Sequence, residues 1–434
     1  MYTKIKKVNT NNSKLRKLKG VALNMKKILK MLVLVFFLLV IFIYTLVIGN
    51  IPSKIVIFQG EDISMQTLFG MSIKQKKLET IEASSDLKDE LSQNVGKTDF
   101  KVSLFDNIPI KDIEVSVLPK TTVIPVGSIA GVKLYTNGVL VVGMSEIEGK
   151  DSKKYKPYEN SGIKEGDTII KIDEHEIESS KDLVKTINMS KGEEIKVKYI
   201  HEDQTKECSM IPVQASNSEY KLGLWVRDSA AGVGTVTFYE PTTKTFGALG
   251  HGITDIDTNE LINISSGEFI TTRILNITKG ESGYPGKIQG TIENQKNIGN
   301  ISKNSKFGIY GKVDNLSSLN IDTSKEMDVA LRDEINLGKA TIFCSLDNEK
   351  PKEYEIEIQN IYKENNYDNK SMKIKVTDER LLEKTGGIIQ GMSGSPIIQN
   401  GKFIGAITHV LVNSPQEGYA VFGDIMLKQS KIVE

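Results

Sequence analysis

Gly386-Gly387-Ile388-Ile389-Gln390-Gly391-Met392-Ser393-Gly394-Ser395-Pro396-Ile397-Ile398 reads as a strand, a tight turn and a second strand built around one serine. Gly391 and Gly394 open backbone conformations closed to other residues, so the amides of Gly391 and Ser393 are able to converge on a developing oxyanion. Ser393 is then the candidate nucleophile. The competing reading is a turn made of Gly, Ser and Pro with no chemistry. A nucleophilic serine needs a general base, and the chain has four histidines from which to choose.

The 434 residues are 39% hydrophobic and 26% charged, enough for two or three globular domains. The net charge of +1 conceals an uneven distribution, because the first 30 residues hold ten Lys or Arg and no acid. Removing those ten from 56 basic residues leaves 46 against 55 acidic ones, a charge of −9, and no reason to expect nucleic-acid binding.

After the basic segment (1–30) comes the uncharged apolar run Met31 to Ile48. About 20 helical residues cross a bilayer core of roughly 30 Å, so 31–50 is expected to be a transmembrane anchor. Its positive flank places the N-terminus in the cytoplasm and the rest of the chain outside. The run is long for a cleaved signal peptide, and no Ala-x-Ala site follows it. Cys208 and Cys344 fall in different expected domains and are read as free thiols.

Residues 51–120 read as a connector with a small β element, in which Phe100–Phe105 and Ile110–Leu118 alternate like strands. Residues 121–215 carry N-S-G-I-K-E-G-D-T-I-I-K-I-D-E-H-E-I from Asn160 to Ile177, then a helix expected over Ser180 to Met189 and a strand over Glu194–Ile200. Upstream, Ile129-Ala130-Gly131-Val132 precedes a hairpin turn expected at Tyr135–Gly138 and the strand Val139–Val142. This order resembles a bacterial PDZ domain, which implies that a peptide C-terminus, or another copy of the chain, adds a strand beside Ile129, Ala130, Gly131 and Val132. His175 and His201 lie among charged residues without H-E-x-x-H spacing and are read as turn residues.

From 216 to 434 the chain consists of short strands with frequent Gly, the pattern of a β-barrel or sandwich. His251, between Gly250 and Gly252 at the end of the strand Phe246–Leu249, is the candidate general base. His409, in the strand Phe403–Val410, is read as structural or pocket-lining, with a general base as the alternative role. Candidates for the carboxylate that orients the base are Asp255, Asp257, Asp328 and Asp378, the last also reading as the N-cap of a short helix. Ser395 is the fallback nucleophile, and Cys344 reads as core.

The basic start, single apolar run, PDZ-like segment, L-G-L-W-V-R-D-S-A-A-G-V-G-T-V-T-F-Y, G-A-L-G-H-G-I-T-D, T-D-E-R-L-L and G-G-I-I-Q-G-M-S-G-S-P-I-I-Q-N-G-K together resemble the stage IV sporulation protein B serine peptidases. The resemblance implies catalytic His251, Asp378 and Ser393, a chymotrypsin-like β-barrel fold for 216–434, and no cofactor or metal. It also implies an endopeptidase in the space between the forespore membranes. Such a peptidase cleaves itself and a membrane-embedded regulator of an intramembrane metalloprotease, triggering sigma-K activation. A non-catalytic PDZ adaptor and a quality-control protease are the alternatives, the latter disfavoured because its PDZ domain normally follows the peptidase.

Overall fold

The computed structural model describes residues 27–46, 48–49, 51, 53–59, 71–75, 96–104, 107–202, 204–314, 316–319, 321–363 and 368–431. Most of the basic segment and much of the expected connector therefore lie outside the described residues. Two compact units divide the chain, 1–119 and 120–434.

In the first unit, helix α1 (Lys27–Leu46) has 20 residues, no buried side chain and, from Met31 onward, no charged residue. At 1.5 Å per residue it is about 30 Å long, which makes it a candidate membrane span. It begins four residues before the expected anchor. Strands β1 (Lys54–Phe58), β2 (Met71–Gln75), β3 (Gly96–Leu104) and β4 (Ile108–Leu118) form one sheet in the order β1-β4-β3-β2. Alternation in I-K-D-I-E-V-S-V-L turns Ile113, Val115 and Val117 into the core with Phe100 and Val102.

The second unit contains two six-stranded barrels and a PDZ sheet. After β5 (Thr122–Pro125) comes β6 (Ile129–Met144), sixteen residues long. The PDZ region follows as β7 (Thr168–Ile172), helix α2 (Ser180–Met189), β8 (Ile195–His201) and β9 (Gln204–Met210). Leu183 and Ile187 of α2 pack on Ile169, Ile172, Val197 and Val139, as their one-turn spacing requires. Ser179 caps the helix by accepting from the Asp182 amide.

Strand β10 (Leu224–Glu240) then pairs along nearly the whole of β6. With β11 (Thr245–Ala248), β12 (Ile264–Thr278), β13 (Lys287–Ser305) and β14 (Gly308–Val313) it forms a ring, β6-β12-β13-β14-β11-β10, that closes through the β6–β10 pairing. Phe246 and Phe269, with ring centroids 4.4 Å apart, sit at its centre with Leu134, Val236 and Ile301. The second barrel is β15 (Gly338–Cys344), β16 (Lys352–Ile361), β17 (Met372–Val376), β20 (Ser414–Phe422), β19 (Lys402–Leu411) and β18 (Pro396–Gln399), in that order. Helices α3 (Glu379–Thr385) and α4 (Gly423–Ser430) complete it. The fold is thus mainly β, with a PDZ domain and two barrels.

The structure corrects the expected hairpin at Tyr135–Gly138. Thr-Asn-Gly reads as a turn, yet β6 runs straight through it, because both edges of this stretch are claimed by partners distant in sequence. Before the kink β6 pairs with β10 and β12, and after it with β10 and β7. Gly138 takes φ +100° at the kink, where a Cβ would come within 2.4 Å of the Ile169 carbonyl. One strand therefore serves the PDZ sheet and the first barrel, and no physical boundary separates 121–215 from 216–434. The same pairing corrects the expected peptide-binding segment. Ile129 to Val132 face Thr235 to Gly232 on β10, and Ala130 to Val132 also pair with Thr271 to Phe269 on β12. Those residues have no open edge to offer an added strand.

Candidate functional site

His251 and Ser393 come from different barrels and meet at one cavity. His251 follows β11, where Leu249 at φ +67° and Gly250 at φ +68° swing the chain off the barrel end. Ser393 precedes β18 in a turn held by Gly391 at φ +101° and Gly394 at φ +95°. The cavity, about 250 Å3, is walled by Val132, Ala230 to Val233, Leu249, Ile253 and Gln390 in addition to the two candidate catalytic residues. Its lining is mostly apolar and includes the small residues Ala230, Ala231 and Gly232, which leaves room for an apolar substrate residue.

Half-buried His251 has its Nδ1 2.8 Å from the Gly252 carbonyl. A carbonyl only accepts, so Nδ1 carries the proton and Nε2 presents its lone pair, the tautomer a general base needs. The His409 ring lies 5.2 Å from it, tilted by 38°. Burial lowers the pKa of His251, partly offset by the Gly252 carbonyl. Burial and then the neighbouring His251 lower that of His409 to about 4, with Lys370 lowering it further and Asp368 opposing.

Both rings are therefore neutral at neutral pH. The acid limb of kcat/KM, set by protonation of His251, is expected below the ordinary histidine value of about 6.5. Because both folded-state values lie below the unfolded ones, the unfolded chain binds more protons between roughly pH 6.5 and 4, so stability is lost as the pH drops through that window. Rate and thermal unfolding profiles from pH 8 to 4 test both statements; an acid limb above pH 7 would contradict the first.

The Ser393 hydroxyl donates to the Thr408 carbonyl at 2.8 Å, a bond it has to release before it can give its proton to a base. The amides of Gly391 and Ser393 have no acceptor among the described residues, whereas those of Met392, Gly394 and Ser395 donate to Ile389, Ile407 and Met392. Two free N–H groups thus lie at the candidate nucleophile, the kind of donors an oxyanion requires.

Thr235, on β10, ties the two halves together. Its amide donates to the Ser393 carbonyl at 3.1 Å, its hydroxyl to the Gly391 carbonyl at 2.7 Å, and its own carbonyl accepts from Leu249 at 3.2 Å. Sequence reasoning did not single it out, since within G-V-G-T-V-T-F it is one alternating strand residue among several.

Asp378 is placed elsewhere. Its carboxylate caps α3 by accepting from the Arg380 amide at 3.0 Å and the Leu381 amide at 3.4 Å. It also accepts from the Glu355 amide at 3.2 Å and from two nitrogens of the Arg380 guanidinium at 3.0 and 2.7 Å. The Arg380 side chain, against the opposing effect of burial, holds its pKa down at about 2. Among the described residues no carboxylate contacts His251. Of the other candidate acids, Asp255 and Asp257 pair with Arg227, and Asp328 lies in a short strand against Thr122. His201 bonds Asp167 at 2.6 Å, and His175 is exposed. Ser395 is buried behind the turn, and Cys344 is buried with its thiol pKa pushed up.

A histidine from the first barrel and a serine flanked by free amides from the second define a serine peptidase with an attached PDZ domain. Residues 218–427 match the family described as SpoIVB peptidase S55, and residues 132–211 match the PDZ domain. No curated protein matches the sequence. Among solved structures, the PDZ domain of an SdrC-like protein from Listeria monocytogenes is 22% identical, with 21% of this chain and 87% of that one covered and a TM-score of 0.17. The HtrA-type protease AlgW with a decapeptide is 10% identical, with 48% of this chain and 54% of that one covered and a TM-score of 0.28.

Proposed function

We propose that the chain is a membrane-tethered endopeptidase of sporulation signalling, with Ser393 as nucleophile and His251 as base. The observation that carries this reading is that the two line one cavity beside the unpaired amides of Gly391 and Ser393. In the reaction the Ser393 hydroxyl turns from Thr408 to His251 Nε2 and loses its proton as Oγ attacks the scissile carbonyl. The two amides hold the oxyanion, His251 returns the proton to the leaving amine, and water releases the acyl group by the same steps in reverse.

The tether is α1, with the basic segment in the cytoplasm and the peptidase in the space between the forespore membranes. The match of residues 218–427 to the SpoIVB peptidase family supports a membrane-embedded regulator of an intramembrane metalloprotease as substrate, sigma-K activation as the outcome, and self-cleavage. A tether raises the effective concentration of a substrate in the same membrane. The PDZ domain supports binding of peptide C-termini or of another copy of the chain.

A serine-directed fluorophosphonate tests the chemistry directly. Native full-length protein in detergent is expected to be labelled at Ser393, identified by peptide mass, and heat-unfolded protein is not. Absence of label, or labelling of Ser395 instead, would overturn the assignment.

Asp378 is assigned an indirect part: it anchors α3, whose C-cap Gly386 begins the loop leading to Gly391. Asn is as good a helix cap as Asp, so Asp378→Asn is expected to keep the fold and lower kcat less than about tenfold. A carboxylate orienting the imidazole would instead cost about 10^4 when changed to Asn. Steady-state kinetics of this variant separates the two roles, and a loss near 10^4 would return Asp378 to the triad.

A further inference from the structure

We infer that Arg227 is a positioning residue for the proposed reaction: it fixes, through Asp255, the hairpin whose first carbonyl orients the imidazole of His251. The inference rests on the peptidase reading above and deepens it.

His251 stands at the root of a short hairpin. The Ile262 amide donates to the Ile253 carbonyl at 3.1 Å, Thr254 bridges to Leu261, and the Asp255 amide donates to the Glu260 carbonyl at 2.9 Å. A two-stranded ladder this short is marginal in water, so its shape has to be imposed from outside. Asn304 of β13 does so at the root. Its side chain accepts from the Ile253 amide at 2.9 Å and donates to the carbonyls of Ile253 and Ile262 at 2.8 and 2.9 Å. Arg227 of β10 does so at the other end, where one guanidinium nitrogen donates to the Asp255 carboxylate and another to that of Asp257 at 2.7 Å.

Asp255 passes this contact to the backbone. It is buried, at 1% accessibility, and its other oxygen accepts from the amides of Asp257 and Thr258 at 3.0 and 3.1 Å. The carboxylate therefore sets the conformation of the hairpin tip, and the guanidinium compensates a charge held out of water. Without Arg227 that charge draws the tip toward solvent.

The link to catalysis is Gly252. Among the described residues no carboxylate contacts His251, and the acceptor that holds its Nδ1 proton is the Gly252 carbonyl, 2.8 Å away. A backbone carbonyl thus stands where an orienting acid would, and its direction is set by the hairpin it opens. The fit is close, since a Cβ on Gly252 would lie 2.7 Å from the Ser305 carbonyl. Ile253, the next residue, walls the catalytic cavity. Strand β10 therefore holds both reacting partners, the base hairpin through Arg227 and the nucleophile turn through Thr235. A tilt of the hairpin turns the imidazole out of line with Ser393 while both barrels stay folded.

The test is the rate of labelling by a serine-directed fluorophosphonate, on full-length Arg227→Ala protein in detergent beside wild type. The rate depends on activation of Ser393 by its base, whereas the final extent counts correctly folded sites. The rate is expected to fall at least about thirtyfold with the extent unchanged, since a shift of about 1 Å in such a constellation is worth about 10^2. The Arg227 side chain is 32% accessible, so the space it leaves is open to a small cation. Millimolar guanidinium chloride is expected to restore much of the rate, and equimolar sodium chloride is not, because only the guanidinium reproduces the planar fork. An unchanged rate would overturn the inference. A reduced extent with an unchanged rate per labelled site would do so too, because Arg227 would then serve the fold alone. So would a loss of rate that guanidinium restores no better than sodium. Wild-type protein that takes no label would overturn the peptidase reading itself, and Arg227 would have no base to position.

Discussion

Ser393→Ala is expected to lower peptide hydrolysis by about 10^6, His251→Ala by about the same, and the double variant by no more than either. The non-additivity is the informative part. A nucleophile without its base and a base without its nucleophile are equally idle, so removing the second member costs nothing further. Residual hydrolysis comes from the cavity and the free amides of Gly391 and Ser393, which both single variants retain. Neither substitution removes a structural partner of consequence. Ser393 loses a bond to the Thr408 carbonyl, and His251 one to the carbonyl of its own neighbour, Gly252. Both variants are therefore expected to unfold within about 1 kcal/mol of wild type. Rates on an unfolded substrate, together with denaturation curves, measure the two quantities independently. A single-variant loss below about a hundredfold would put the nucleophile elsewhere.

The parts of this arrangement that were legible in the sequence are those fixed by local chemistry. Helix α2 occupies Ser180–Met189 as expected, because Ser179 caps it and the spacing of Leu183 and Ile187 leaves one face to bury. The turn around Ser393 was readable because only Gly enters the φ values found at Gly391 and Gly394. What failed was decided by distant partners. Thr136-Asn137-Gly138 has the chemistry of a hairpin, and only the ladders with β10, β12 and β7 keep β6 continuous through it. Ile129–Val132 resembled a binding loop by its order in the chain, while β10 returns from more than about a hundred residues later to cover its edge. For Asp378 the residues allowed both a helix cap and a catalytic acid, and the choice turned on Arg380 and the Glu355 amide, neither of which the T-D-E-R-L-L run distinguishes. The cavity joining His251 to Ser393 was foreseeable as a pairing of residue types. Its mortar, Thr235, was not, since a strand threonine carries no local signature of contact with a loop 156 residues away.

Gly394→Ala is expected to cost about a hundredfold or more in kcat while leaving both barrels folded. At φ +95° an alanine is strained by its own backbone, and the space beside it is already taken: a Cβ would lie 2.2 Å from the Thr235 carbonyl, 2.6 Å from the Leu249 amide and 3.0 Å from the Leu249 Cα. These are backbone atoms of β10 and of the residue that follows β11, not the flexible end of a side chain, so relief has to come from the turn that carries Ser393. Thr235 and Leu249 belong to the first barrel, and the displacement therefore opens the contact between barrels where the base and the nucleophile meet. The Thr235 bonds to Ser393 and Gly391 stretch together, which moves Oγ and the oxyanion amides away from His251. A shift of about 1 Å in such a constellation is worth about 10^2 in rate. The readout that distinguishes this from general damage is the split between constants. Substrate contacts along Ala230 to Val233 and Val132 stay in place, so KM is expected to change by less than about threefold while kcat falls. A Gly394→Ala protein that retains full kcat would show that the turn does not need to sit against Thr235 and Leu249 for the reaction to proceed.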